Sequence, residues 1–213
     1  MAPIIKLHPT TPQPRLLRRA AALLREGGVI AYPTDSSYAL GCRIGDAEAA
    51  RRIRQIRGVD ARHHLTLVCR DLAQVGRFAR MDNGQYRILR HGTPGSFTFL
   101  LRATPEVPRR VQHPKRSTIG VRIPDHPVVL GLLEELGEPI LSSTLILPGE
   151  AEPLNDAEVI AARLGGAIDA VIDAGPCNAA PTTVVDLAVS PPVVVRRGLG
   201  DVAALGIDAR DSG

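Results

Sequence analysis

Short apolar runs rich in Val, Ile and Leu alternate along this chain with segments whose apolar residues recur every three or four positions. That alternation constrains the fold most, because strands separated by helices build one sheet with helices packed on its faces. The spacing of Leu16, Leu17, Ala20, Leu23 and Leu24 predicts an amphipathic helix over 14–26, stopped by Gly27-Gly28 and feeding a buried strand from Val29. Asp46 is placed to cap a second helix that runs through Arg57 and closes at Gly58. Further helices are expected near 71–79, 83–91, 127–136 and 155–164. Strands are expected at 65–69, 97–101, 119–123, 139–144, 170–173, 183–187 and 193–196. The pattern predicts a three-layer α/β single domain over 1–213, with a twisted mixed β-sheet, parallel and antiparallel, flanked by helices. Its core covers about residues 15–200, and the last dozen residues, with few apolar groups to bury, are expected to fray.

Only 3% of the residues are aromatic and none is Trp, so aliphatic side chains must fill the core. That argues against the aromatic platforms on which single-stranded nucleic acid stacks. No run reaches 18 apolar residues, and Met1–Lys6 lacks the features of a secretory signal, so a cytoplasmic protein without membrane contact is expected. Cys42, Cys69 and Cys177 are widely spaced with no CxxC pair, which fits neither a disulfide framework nor a zinc site; Cys42 and Cys69 end apolar runs and are expected to be buried, inert thiols. His63 and His64 are adjacent, so their side chains diverge, and no third ligand stands at metal-site spacing; no metal is expected there.

Charge is divided along the chain. Residues 1–122 hold 22 Lys and Arg against 8 Asp and Glu, whereas residues 123–213 hold 4 against 14. Such a field draws a polyanion to one side, either a nucleotide triphosphate or an RNA backbone; arginines that merely solvate helix faces would give the same counts. The loop TPEVPRRVQHPKRST, 104–118, concentrates Arg109, Arg110, Lys115 and Arg116, the candidate contacts to nucleic acid.

In open α/β sheets ligands usually sit at strand ends, where loops hold polar groups on a rigid support. By that rule Thr34-Asp35-Ser36-Ser37 after the strand from Val29, Arg122 in 119–123, Ser142-Ser143-Thr144, Thr182-Thr183 and Arg196 form the candidate site. The chain is expected to reverse through Ala39-Leu40-Gly41. Hydroxyls and guanidinium groups bind carboxylates and phosphates and supply no nucleophile–base pair. Each hydroxyl cluster could equally be a turn or cap, and Arg122 could be paired with an internal Asp. A Walker A loop is absent.

Six motifs in order, YPTDSSYALGC at 32–42, TPGSFTFLL at 93–101, TIGVRIPDHP at 118–127, PILSSTLILPG at 139–149, PTTVVDL at 181–187 and VVVRRG at 193–198, resemble the YrdC/YciO family, closest to its YciO branch. The resemblance covers about 15–200 and implies a single YrdC-like domain. It further implies a threonylcarbamoyl-AMP synthase-like activity that joins L-threonine, bicarbonate and ATP, with Mg²⁺ and no tightly bound cofactor, for tRNA adenosine modification. On matching positions it implies that Ser36, Arg122 and Thr182 contact the amino-acid substrate, that Thr118, Ser143 and Arg196 lie on the nucleotide side, and that Arg57 is the catalytic cation.

Two positions depart from the synthase pattern. Its Lys-x-Arg-Pro stands here as Arg57-Gly58-Val59-Asp60, and its Ser-x-Asn as Ser143-Thr144-Leu145, with Arg54 and Arg62 as candidates to restore the lost cation. Synthase-like activity ranks first. The alternatives are a double-stranded RNA or tRNA-binding protein of the same fold, and a hydrolase or reverse-direction enzyme acting on a related adenylate.

Overall fold

The computed structural model describes residues 1–60, 63–207 and, for the backbone, 210–211. Among the described residues six α-helices flank one mixed sheet. The strands are β1 (Ile4–Lys6), β2 (Ile30–Tyr32), β3 (Ala39–Arg43), β4 (Thr66–Val68), β5 (Ala79–Arg80), β6 (Phe97–Ala103), β7 (Thr118–Arg122), β8 (Ile140–Thr144), β9 (Ala170–Asp173), β10 (Thr183–Asp186), β11 (Val193–Arg196) and β12 (Arg210–Asp211). Their order is β1-β9-β2-β3-β8-β4-β7-β6-β10-β11-β12, with β5 attached to β6. The helices are α1 (Pro14–Arg25), α2 (Ala47–Arg57), α3 (Leu72–Phe78), α4 (Asn83–Gly92), α5 (Pro127–Leu136) and α6 (Ala157–Leu164).

Side-chain alternation along the strands splits the core in two. Leu40, Cys42, Leu65, Leu67, Phe99, Val121, Leu141 and Val185 face one side, where they pack with residues of α2, α3, α4 and α6. Ile30, Tyr32, Ala39, Val68, Ile140, Ala170 and Ile172 face the other, beneath α1 and α5. These last two helices pack on each other above the β9-β2-β3 side of the sheet. The remainder of that face, over β8, β4, β7, β6 and β10, carries the cavity described below.

The helix signals operate as expected. Asp46 accepts the Ala49 N–H at 2.9 Å, and Gly58 ends α2 in the left-handed conformation. Three expectations need correction. Ala39-Leu40-Gly41 is not the reversal but the start of β3, antiparallel to both β2 and β8. Gly41 is there for space: a Cβ would sit 2.7 Å from the Tyr32 ring and 2.6 Å from Ile140 Cγ2. The reversal occurs earlier, where Thr34 Oγ1 accepts the N–H groups of Ser36 and Ser37 at 3.1 and 3.2 Å and donates to the Ser37 carbonyl at 2.8 Å.

The tail is the second correction. Asp201 caps a short 3₁₀ turn, Val202–Leu205, and Leu205 is buried, so one apolar side chain anchors a segment expected to fray. β12 then pairs in parallel with β11. Residues 208, 209, 212 and 213 lie outside the described residues. Third, β1, which precedes the expected core, joins the sheet edge through β9.

Cys42 and Cys69 are buried free thiols, each pushed up to about 12 by burial. Cys177 is half-buried and raised to about 11, again by burial first.

Candidate active site

The sheet itself forms the floor of the cavity. Thr66 and Val68 of β4, Gly120 and Arg122 of β7, Ser142 and Thr144 of β8, Thr98 and Leu100 of β6, and Val184 of β10 present alternate positions to one face. Register aligns them, with Thr66 opposite both Gly120 and Ser142, and Gly120 opposite Leu100. The volume is about 250 Å³. The sequence rule placed the ligand beyond the strand ends; the observed cavity extends over the strand faces, because α1 and α5 cover only part of that side.

Arg122 is the best-buried cation of the site. Its Nη2 donates to Asp35 Oδ1 at 2.5 Å, and its Nη1 donates to Ser36 Oγ at 3.1 Å. Both side chains of the ion pair are only 10% exposed. Asp35 spends its second oxygen on Ser96 Oγ, which donates at 2.6 Å. The internal-Asp alternative for Arg122 therefore holds, yet Arg122 also lines the cavity. Asp35 acts as a brace that aims the guanidinium. Thr34 and Ser37 line the same region, while Ser36 reaches it through Arg122.

Thr182 and Arg196 stand together. Thr182 Oγ1 lies 2.9 Å from Thr98 Oγ1, and Arg196 donates to the Thr182 carbonyl from Nε at 3.2 Å and Nη2 at 3.0 Å. Arg57 reaches in from the end of α2: its Nε donates to the Ile146 carbonyl at 2.7 Å, and its Nη1 to Ser143 Oγ at 2.6 Å and to the Thr144 carbonyl. Neither Arg57 nor Arg196 has a carboxylate partner among the described residues, and burial alone lowers the pKa of each.

Other sequence candidates fall outside the cavity. Thr118 is buried two positions from Gly120 along the same face but is not a lining residue. Val59 is half-buried and does not line the cavity either, and Leu145 is buried in the core. Arg54 is half-buried beside Cys42, His63 and His64; Arg62 lies outside the described residues. In the loop 104–118, buried Val107 and Val111 pin the backbone and leave Arg109, Arg110, Lys115 and Arg116 exposed. Two of these already have partners: Arg116 pairs with buried Asp186 at 2.6 Å, and Arg110 donates to the Gly45 carbonyl.

Two lining residues, His63 and His64, are ones that the sequence offers only as an unpromising metal pair. His63 Nε2 lies 3.4 Å from Ser143 Oγ, and His64 stacks on His113 with centroids 4.6 Å apart. Burial is the first cause of the lowered pKa of both His63 and His64. Their position just before a buried strand was the available signal.

With this geometry in hand, comparison with known proteins decides the family. The model described as Telomere recombination, for Sua5, YciO and YrdC proteins, matches residues 22–198. The chain belongs to the Sua5/YciO/YrdC family. It is 48% identical over 202 residues to the uncharacterized protein YciO of Escherichia coli K12, covering 95% of this chain and 98% of that one. The crystal structure of E. coli YciO superposes with a TM-score of 0.92 at 47% identity, covering 96% of this chain and all of that one. The threonylcarbamoyl-AMP synthase of Bacillus subtilis is 30% identical over 184 residues, 85% of this chain and 53% of that protein. Pyrococcus abyssi Sua5 complexed with L-threonine superposes with a TM-score of 0.89 at 28% identity, covering 98% of this chain and 62% of that one. The family domain of this chain thus shares its sheet and flanking helices with both YciO and Sua5.

Proposed function

We propose that this member of the Sua5/YciO/YrdC family is a threonylcarbamoyl-AMP synthase, joining L-threonine, bicarbonate and ATP into threonylcarbamoyl-AMP, with pyrophosphate and water as the other products. One observation carries the reading: Arg57 and Arg196, two guanidinium groups without carboxylate partners among the described residues, line the same cavity as the braced Arg122 and a set of hydroxyls. Unpaired, partly desolvated guanidinium groups favour an anionic ligand, and phosphates satisfy them through charge-assisted hydrogen bonds. In this reading Arg122, Ser36 and Thr182 hold the amino acid, while Arg57, Ser143 and Arg196 hold the phosphates, with Thr118 nearby on the nucleotide side. Catalysis then rests on positioning and on neutralising charge as pyrophosphate departs. A cavity of about 250 Å³ accommodates the amino acid, and the nucleotide extends through its open side. In this reading Mg²⁺ arrives on the phosphates. The likeness to L-threonine-bound Sua5 supports the amino-acid assignment.

A second reading, hydrolysis or reverse reaction of a related adenylate, is favoured by the way Arg57 spends its donors on the Thr144 and Ile146 carbonyls. RNA enters as the destination of the product, with exposed Arg109 and Lys115 as its first contacts.

Calorimetric titration with Mg·ATP, with and without L-threonine and bicarbonate, tests the site. Nucleotide binding is expected, and it should weaken about tenfold or more in Arg57→Ala, the scale of one charge-assisted hydrogen bond. Unaltered binding in that variant would remove Arg57 from the phosphate end.

A further inference from the structure

Where the synthase pattern that this chain resembles carries a second cation, the chain has Val59, which does not line the cavity. A third group does. His63 lines the cavity and lies 3.4 Å, through Nε2, from the Ser143 hydroxyl that also accepts from Arg57 Nη1 at 2.6 Å. Arg57 can only donate, so the Ser143 proton is free to point at His63 Nε2 and hold a neutral imidazole. Protonation of Nε2 reverses that bond: Ser143 Oγ then accepts from both Arg57 and His63, and the ring carries a charge toward the ligand.

We infer that His63 supplies the missing positive charge on demand, taking up a proton when a phosphate-bearing ligand enters beside Arg57. The inference rests on the anion-binding reading of the cavity given above.

The groups facing His63 favour the neutral ring when the cavity is empty. Arg57 and Arg54 approach from α2 and His64 from the adjacent position, all of them opposing a further positive charge; among the described residues Asp60 favours it. Burial works in the same direction as the arginines, and His63 is lowered from the ordinary histidine range. His64 has its own neighbours, Arg54 and the stacked ring of His113, whose Nδ1 accepts the Lys115 and Arg116 N–H groups. That stack holds the 63–64 segment against the basic loop.

A bound phosphate adds negative charge on the cavity side and reverses the balance at His63. The sign follows from linkage: if binding raises the pKa of His63, affinity is greatest below the free-state pKa. It falls between the free and bound values and is flat above the bound value.

The test uses the full chain and inorganic sulfate, which stays fully ionised across the range and so adds no titration of its own. Histidine-ring NMR from pH 5 to 8.5, with His63 assigned by loss of its signal in His63→Gln, is recorded with sulfate and with chloride at matched ionic strength. Sulfate should raise the apparent pKa of His63 by about one unit or more, the usual effect of an opposite charge at close range. Its affinity should fall by up to about tenfold per pH unit across that window, and His63→Gln should flatten the slope. Sulfate binding with an unmoved His63 overturns the inference and leaves the anion site standing. So does a slope removed by His64→Gln rather than His63→Gln. If sulfate does not bind at any pH the inference fails, and if Mg·ATP does not bind either, the reading beneath it fails too.

Discussion

Arg122→Ala should abolish threonine-dependent pyrophosphate release and destabilise the fold. Arg122 holds Asp35 at 2.5 Å with both side chains 10% exposed, so its removal leaves a nearly buried carboxylate with the Ser96 hydroxyl as its remaining side-chain partner among the described residues. Breaking a buried pair by removing one partner costs about 3–5 kcal/mol. The loss should be visible as a lower urea midpoint. Turnover should fall further than stability explains, because the variant also removes the donor that holds Ser36 Oγ at 3.1 Å and faces the substrate cavity. Arg122→Lys separates the two effects: it keeps the charge opposite Asp35 but lacks the planar fork. Its urea midpoint should lie well above that of the alanine variant, while pyrophosphate release stays low. A lysine variant with full turnover would reduce Arg122 to a structural ion pair.

Gly198→Ala should disable the site from outside it. Leu199 N–H donates to the Pro181 carbonyl at 3.0 Å and Gly198 N–H to Thr183 Oγ1 at 2.9 Å, clasping 198–199 onto the strand that begins after Thr182. A Cβ on Gly198 would sit 2.5 Å from the Thr182 carbonyl carbon and press on the Pro181 carbonyl oxygen. Backbone cannot step aside as a flexible side chain can, so the 181–183 segment must shift. Overpacking of this kind costs about 1–3 kcal/mol. The functional cost is larger, because Thr182 supplies the carbonyl that Arg196 grips and the hydroxyl 2.9 Å from Thr98. A displacement of about 1 Å at a positioning group can lower turnover about 100-fold. Parallel measurement of thermal stability and pyrophosphate release should show activity lost well below the unfolding temperature. Equal losses of both would mean that the clasp matters only for folding.

Much of the local structure was legible in the sequence because its signals are local. Asp46 and Gly58 bracket α2 within one residue of the expected span, and the apolar spacing of Leu17, Ala20 and Leu24 marks the buried stripe of α1. Gly41 misled for a physical reason. Glycine marks turns through its backbone freedom, but here it makes room for the Tyr32 ring across the ladder, a contact that exists only once β2 and β3 pair. Strand order was likewise beyond reach: β8 lies between β3 and β4, far from both in sequence, and no local pattern encodes that neighbour choice.

The lining of the cavity was legible by residue and not by place. Arg122, Ser143, Thr182 and Arg196 do converge, but on a sheet face left open by α1 and α5 rather than beyond the strand ends. Which half of a face is covered depends on helix packing, which no spacing rule reports. The same limit hid His63. As a sequence element it was half of an unpromising metal pair; in the fold it lines the cavity beside Arg57 and Ser143. Arg116 shows the opposite case, a charge of the basic loop whose partner is buried Asp186.

Whether this chain makes threonylcarbamoyl-AMP, as proposed, is decided by product formation with the purified protein. L-threonine, bicarbonate and Mg·ATP would be incubated with it, and the adenylate product identified by mass alongside released pyrophosphate. Both should appear, should require threonine, and should vanish in Arg122→Ala. Nucleotide bound at the cavity with neither product formed, or an added adenylate consumed without any synthesis, would contradict the claim.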